Sequence, residues 1–306
     1  MNPTSCKRIY KLLMLFSIVV LLIFCSACSV YASGKNISVS VSIPPLKYVL
    51  NKIGGEQVQV SVMVPPGSNP ATYEPKPRQM SALADTDMYF AIGVPFEKSW
   101  LPRFSKVNKH MRIVRLDLVI NKRTLATDYE NTSRKHLKPS DGNKDPHVWL
   151  SPLAMRLISA KVARIFSRSD PDNACKYRQN YLQLAREINQ LDKRILKLFS
   201  ATEPDKIQFM TLHPAWGYLA RDYGLQQIPI KLQGKSPGPK EMGKLIDMAK
   251  ALDIDTIFVQ PQFSQKEAET IAEQIGAKVI SLNPLAADWN NNLLDMAQKI
   301  HSGLSE

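Results

Sequence analysis

The sequence predicts an α/β protein of two lobes, each a parallel-type sheet flanked by helices, with one long rigid helix joining them. Three observations carry this reading. Short β-branched runs alternate with helical stretches in the first part of the chain, and strand–helix alternation argues for a parallel sheet. The same alternation restarts beyond residue 202. Between the two runs lies one stretch with a single apolar stripe at helical spacing. The organisation expected is a leader over residues 1–32, a lobe over 33–170, a connecting helix over 171–201 and a second lobe over 202–306.

The leader opens with Lys7, Arg8 and Lys11, followed by the almost uncharged run Leu12 to Ala27. A basic start, a short apolar segment and small residues describe a signal peptide. The run falls short of the roughly 20 residues a membrane span needs. Cleavage is placed after Ala32, which would deliver the chain to the periplasm or another extracytoplasmic surface. Lipidation at Cys28 is one alternative, but Cys25 stands three before it rather than leucine. A retained anchor is the other.

Export would expose the chain to oxidising conditions. Cys6, Cys25 and Cys28 lie in the leader, so Cys175 alone would remain. A lone cysteine makes no internal disulfide, and the fold must be held by its core. Removing the leader leaves 40 − 3 = 37 Lys and Arg against 27 Asp and Glu, a net charge of +10. The densest basic stretch, from Lys98 to Arg115, lacks the aromatic interleaving of a nucleic-acid module and reads as a solvated face.

In the first lobe, "NISVSVSIPP" is a strand that stops at Pro44-Pro45, and a helix follows, closed by Gly54-Gly55. "VQVSVMVPPG" is the second strand, "KPRQMSALADTD" a helix, "MYFAIGVP" a buried strand and "MRIVRLDL" a fourth. Residues 121–146 are polar and aperiodic, which predicts a surface loop ending just before His147. The connecting helix is read from Tyr177, Tyr181, Leu184, Ile188, Leu191, Ile195 and Leu198, which step alternately by four and three. Pro171 suits its start. From Asp172 to Ser200 it would span about 40 Å, long enough to join two lobes. A coiled-coil oligomer would need about four heptads, more than this stretch holds, and a monomer is expected.

In the second lobe "KIQFMTLH" is a strand ending at His213, and "PAWGYLARDYGL" a helix ending at Gly224. "QQIPIKLQG", "TIFVQPQ" and "KVISLNPL" are strands, and "GPKEMGKLIDMAKALD" and "SQKEAETIAEQIGA" are helices.

Ligands of open α/β sheets bind beyond the carboxyl ends of strands. His213 ends a strand, and His147 follows an Asp-Pro turn at a segment edge. Imidazole is the commonest transition-metal ligand, so two such histidines on either side of a connecting helix can face one cleft. No G-x-S-x-G elbow, H-E-x-x-H or phosphate loop is present.

The pieces "IGGEQVQVSVMVPPGSNPATYEPKP", "ADTDMYFAIGVPFEKSWL", "DPHVWLSP", "TLHPAWGYLARDYGL", "GKSPGPKEM" and "ISLNPL" resemble the zinc- and manganese-type solute-binding proteins of bacterial ABC importers. The resemblance covers nearly all of the chain after the leader. It implies two lobes on a rigid helix, metal capture rather than catalysis, and an ABC-transporter membrane permease as partner. His147 and His213 match two of the family's four metal ligands. A histidine at the place of His213 resembles the zinc-type pattern; manganese-type relatives often carry glutamate there. The other two places depart: the usual histidine is Ala71 and the usual aspartate is Asn283. The long histidine-rich loop of many zinc members is absent, with His136 alone in that stretch.

Alanine has no donor atom, and a neutral amide oxygen is a poor zinc ligand. Glu74, three residues past Ala71, is a candidate replacement carboxylate. The expected site therefore comprises His147 and His213, with Asn283 and Glu74 as lesser contributors and zinc as cargo ahead of manganese. Both imidazoles must be neutral to bind, and an unperturbed histidine titrates near 6.5, so proton competition is expected between about pH 7 and 5.5. Two alternatives stand beside zinc capture. One keeps the fold but takes another solute or a metal complex. The other is a zinc hydrolase, for which the sequence offers no general base.

Overall fold

The computed structural model describes residues 36–125, 144–232 and 234–305. The leader, its cleavage point and most of the loop containing His136 lie outside the described residues.

Four parallel strands build the first sheet: β1 (Ile37–Val41), β2 (Val58–Val62), β3 (Met88–Ala91) and β4 (Arg112–Arg115), in the order β2-β1-β3-β4. The second repeats the plan with β5 (Gln208–Thr211), β6 (Gln226–Pro229), β7 (Thr256–Val259) and β8 (Lys278–Ser281), in the order β6-β5-β7-β8. In each lobe the chain places its second strand on one side of the first and its third on the other. That reversal opens a crevice at the carboxyl ends of β1 and β3, and again at β5 and β7. All four residues of β3 and of β7 are buried, as their continuous apolar runs require. The second strand of the first sheet lies at an edge and alternates: Val58 and Val60 are buried, Gln59 and Ser61 exposed.

The helix α1 (Pro44–Gly54) starts on a proline, whose missing N–H is no loss in a first turn. It buries Leu46, Val49, Leu50 and Ile53. Gly54 is needed because a Cβ there would meet the Val58 side chain at 2.5 Å. The short α2 (Pro77–Ala82) lies where the sequence places a helix.

Three helices are absent from the sequence reading. In α3 (Phe96–Val107), Pro102 inside the helix hides the pattern, yet Phe96, Glu97 and Phe104 are buried. In α4 (Pro152–Ser169), the Ser151 hydroxyl accepts from the Ala154 N–H at 3.2 Å and caps the helix start. The last, α9 (Trp289–Ser305), is described below.

The connecting helix, α5 (Ala174–Phe199), has 26 residues and follows a single 3₁₀ turn at Pro171–Asn173. At 1.5 Å per residue it is about 39 Å long. Its stripe buries Tyr177, Leu184, Ile188, Leu191 and Ile195, and ends on Phe199 rather than Leu198, which is half-buried. It packs against α1 and α4 on the first lobe's side and against α9 on the second's. The remaining helices, α6 (Gly217–Asp222), α7 (Pro239–Ala251) and α8 (Gln265–Ile275), flank the second sheet. One apolar core runs from β1 through α5 to Trp216, Trp289 and Leu304, and a second fills the other face of the second sheet around Met210, Ile257 and Ile271. Among the described residues no helix is long and apolar enough to cross a membrane.

Candidate metal centre

His147 begins the 3₁₀ turn Val148–Leu150, into which Pro146 leads. Its setting is made by Asp145, which is wholly buried. One carboxylate oxygen accepts both the His147 backbone N–H at 3.0 Å and the ring Nδ1–H at 2.7 Å. A carboxylate only accepts, so Nδ1 carries the proton, and in the neutral ring Nε2 keeps its lone pair for a metal. This carboxylate–imidazole pairing orients and strengthens metal-ligating histidines.

Asp145 is held in turn by both lobes. Its N–H donates to the Arg123 carbonyl at 2.9 Å. The Tyr218 hydroxyl donates to its carbonyl at 3.0 Å and accepts from the Arg123 N–H at 3.1 Å. Burial, reinforced by Asp145, pushes the Tyr218 hydroxyl up to about 12. The Arg123 guanidinium lies directly over Gly217, where any Cβ would collide with it. A side chain at Gly217 would have to displace this flexible guanidinium.

His213 lies two residues beyond β5, at the crevice beside β7. Its ring stacks on Phe263 at 5.0 Å with an interplanar angle of 28°. It meets His147 edge to face, with centroids 5.3 Å apart. Its Nδ1 is buried and has no hydrogen-bond partner. Burial, with the neighbouring His147 and Lys231, lowers its pKa to about 3. His213 is therefore neutral over the physiological range. This corrects the expectation that both rings titrate between pH 7 and 5.5: His213 takes no proton there.

The rings face a cavity of about 520 Å³. Ala71, Val94, Pro95, Trp149, Phe263 and Leu285 give it largely apolar walls; Lys144, Gln260 and Gln262 add polar groups. The structure thus brings His147 and His213 together, with Ala71 on the same wall. Asn283 is turned to another task. Its Oδ1 accepts from the Gln262 Nε2 at 3.2 Å and from the Leu285 N–H at 3.0 Å, and Pro284 and Leu285 line the cavity while Asn283 does not. Glu74 is exposed and lies outside the cavity walls. Among the described residues no group of three His, Cys, Asp or Glu side chains is arranged to hold a metal ion.

The sequence reading missed Asp145, although Asp two residues before His147 is the spacing of a side-chain-to-backbone turn. Phe263 and Gln260 gave no local signal; their role comes from the pairing of β7 with β5.

Around the site the lobes are joined by specific bonds. Trp149 donates its indole N–H to the Pro284 carbonyl at 2.8 Å, and Trp289 donates to the Trp149 carbonyl at 2.6 Å. The Ser151 hydroxyl donates to Asp222.

Two parallel-sheet lobes, a long helix between them and imidazoles facing one another at the strand ends define a two-lobed solute-binding protein. A family model described as the periplasmic component A of the zinc-uptake complex matches residues 39–305, and the chain belongs to this family. It is 29% identical over 259 residues to the high-affinity zinc uptake system protein ZnuA of Bacillus subtilis, covering 83% of this chain and 80% of that protein. A crystal structure of ZnuA is similar with a TM-score of 0.80 and 38% identity, covering 88% of this chain and 99% of the other. A zinc-bound ZnuA lacking its residues 138–173 gives a TM-score of 0.79 at 38% identity, covering 89% and 99%.

Proposed function

We propose that this chain captures a divalent metal ion outside the cytoplasm, zinc ahead of manganese, and delivers it to the membrane permease of an ABC importer. It is a carrier and not an enzyme, as membership of a zinc-uptake family implies. The observation that carries the reading is the pair His147 and His213. They come from opposite lobes, lie 5.3 Å apart between ring centroids, and one is oriented by a buried carboxylate at 2.7 Å. Neutral imidazoles suit zinc, whereas a site for manganese would favour oxygen ligands. Residues 33–170 would act as one wall of the site and 202–306 as the other, with α5 as a strut.

The test is elemental analysis of the protein purified without added metal. About one zinc per chain, lost in the His147→Ala/His213→Ala double variant, is the expected result. A chain that binds no zinc at micromolar free zinc, whether or not small chelators are present, overturns the reading.

A further inference from the structure

Among the described residues the cavity offers a bare ion too few ligands. At about 520 Å³ it falls in the range of small-molecule pockets. Its walls hold two imidazoles and a lysine, Lys144, but no carboxylate among the described residues. Ala71 contributes no donor to the wall, and the Asn283 oxygen already has two donors. The buried Asp145 carboxylate reaches an ion only through the His147 ring, so a divalent cation on the two imidazoles would keep much of its charge in a cavity that Lys144 also lines. Uncompensated charge in a largely apolar cavity is costly. It would also lack two ligands of the usual zinc four.

We propose that the cargo is a metal complex. His147 and His213 take one side of the ion, and a small chelator with a carboxylate and an adjacent nitrogen or oxygen donor takes the other, its charge met by Lys144. The chelator supplies the missing ligands and an anion in direct contact with the metal. Its body lies against Val94, Trp149, Phe263 and Leu285, and the buried, unpartnered Gln260 oxygen accepts from its N–H or O–H. This inference rests on the metal-capture reading.

The test is equilibrium binding of zinc to the full chain at matched free-zinc activity, so that competition by the chelator in solution cancels. The arms are zinc alone, zinc with L-histidine, and zinc with citrate. Histidine and citrate represent the amino-acid and hydroxycarboxylate sources of the same chemistry. Expected is a gain of at least about tenfold in apparent affinity in one of the two chelator arms. Isotope-labelled chelator should co-elute with the protein only when zinc is present, and X-ray absorption in the citrate arm should show two imidazoles with additional oxygen donors. Lys144→Ala should reduce the gain. Ala71→His, which adds a protein ligand where the chelator would sit, should tighten zinc alone and abolish the gain. Zinc bound equally in all three arms, with no retained chelator, overturns the inference and leaves metal capture standing. No zinc bound in any arm overturns both.

Discussion

Trp289 donates its indole N–H to the Trp149 carbonyl at 2.6 Å, so the last helix of the chain is tied to the turn that presents His147. Both indoles are fully buried. Trp289→Phe keeps most of the ring and leaves the carbonyl without its donor. A buried unsatisfied carbonyl costs about 1–3 kcal/mol. Thermal denaturation should show a lower melting temperature, and zinc titration should show weaker binding, because the turn next to His147 loses its anchor. An unchanged variant in both measurements would mean that the bond contributes nothing to the site.

The strut and the bonds across the cleft predict little motion. Solution scattering of the zinc-free and zinc-loaded protein should give nearly superimposable curves. A hinge closure passing through residues 174–199 would contradict the rigidity of α5.

Calorimetry on single alanine variants should separate the histidines. His147→Ala and His213→Ala are expected to cost far more affinity than His110→Ala or His301→Ala, which lie outside the cavity walls. Asp145→Asn should weaken zinc by about 10–100-fold, the usual effect of losing the partner that orients a ligating imidazole. Equal, small effects at all positions would return the pair to a structural role.

Read from the sequence alone, Asn283→Asp should tighten zinc by restoring a charged oxygen. The geometry predicts a smaller result. The side-chain oxygen already accepts from Gln262 and Leu285, and an aspartate would keep both bonds. Zinc affinity should change by less than about threefold, well under the 1.4 kcal/mol of a tenfold step. A larger gain would show that the new carboxylate turns toward the imidazoles.

His213 makes the metal-free protein sensitive to acid. Its pKa is lowered to about 3 by burial, against about 6.5 in an unfolded chain. Below 6.5 the unfolded state takes a proton that the native state refuses until about pH 3, so acid favours unfolding. Stability should fall as pH drops from 6.5 toward 3, and His213→Gln should flatten that slope. Urea denaturation at stepped pH measures it; identical slopes for the two proteins would contradict the buried, neutral ring.

The parallel sheets and the strut were legible because they rest on local patterns. A continuous apolar run announced β3, strand–helix alternation announced β7, and a four–three stripe announced α5. The helices that were missed lack such a pattern or mask it. Pro102 interrupts α3, and α4 begins at a serine–proline pair that reads equally as a turn. The two histidines were legible from their places beside turns and strand ends. What the sequence could not show is where Glu74 and Asn283 point, since a side chain's direction is fixed by tertiary contacts. The same holds for the His213 pKa, which follows from burial, with His147 and Lys231 nearby.

The continuous core has a consequence for anyone who would use this molecule as a sensor. Reporters on two-lobed binding proteins commonly exploit a change in distance between halves. Here apolar packing passes from β1 through α5 into Trp216 and Trp289 without a break. A fluorophore pair astride the lobes would therefore register little, and a split version would leave each fragment with a raw apolar face. An environment-sensitive dye near the cavity, beside Ala71 for example, is the placement this architecture favours.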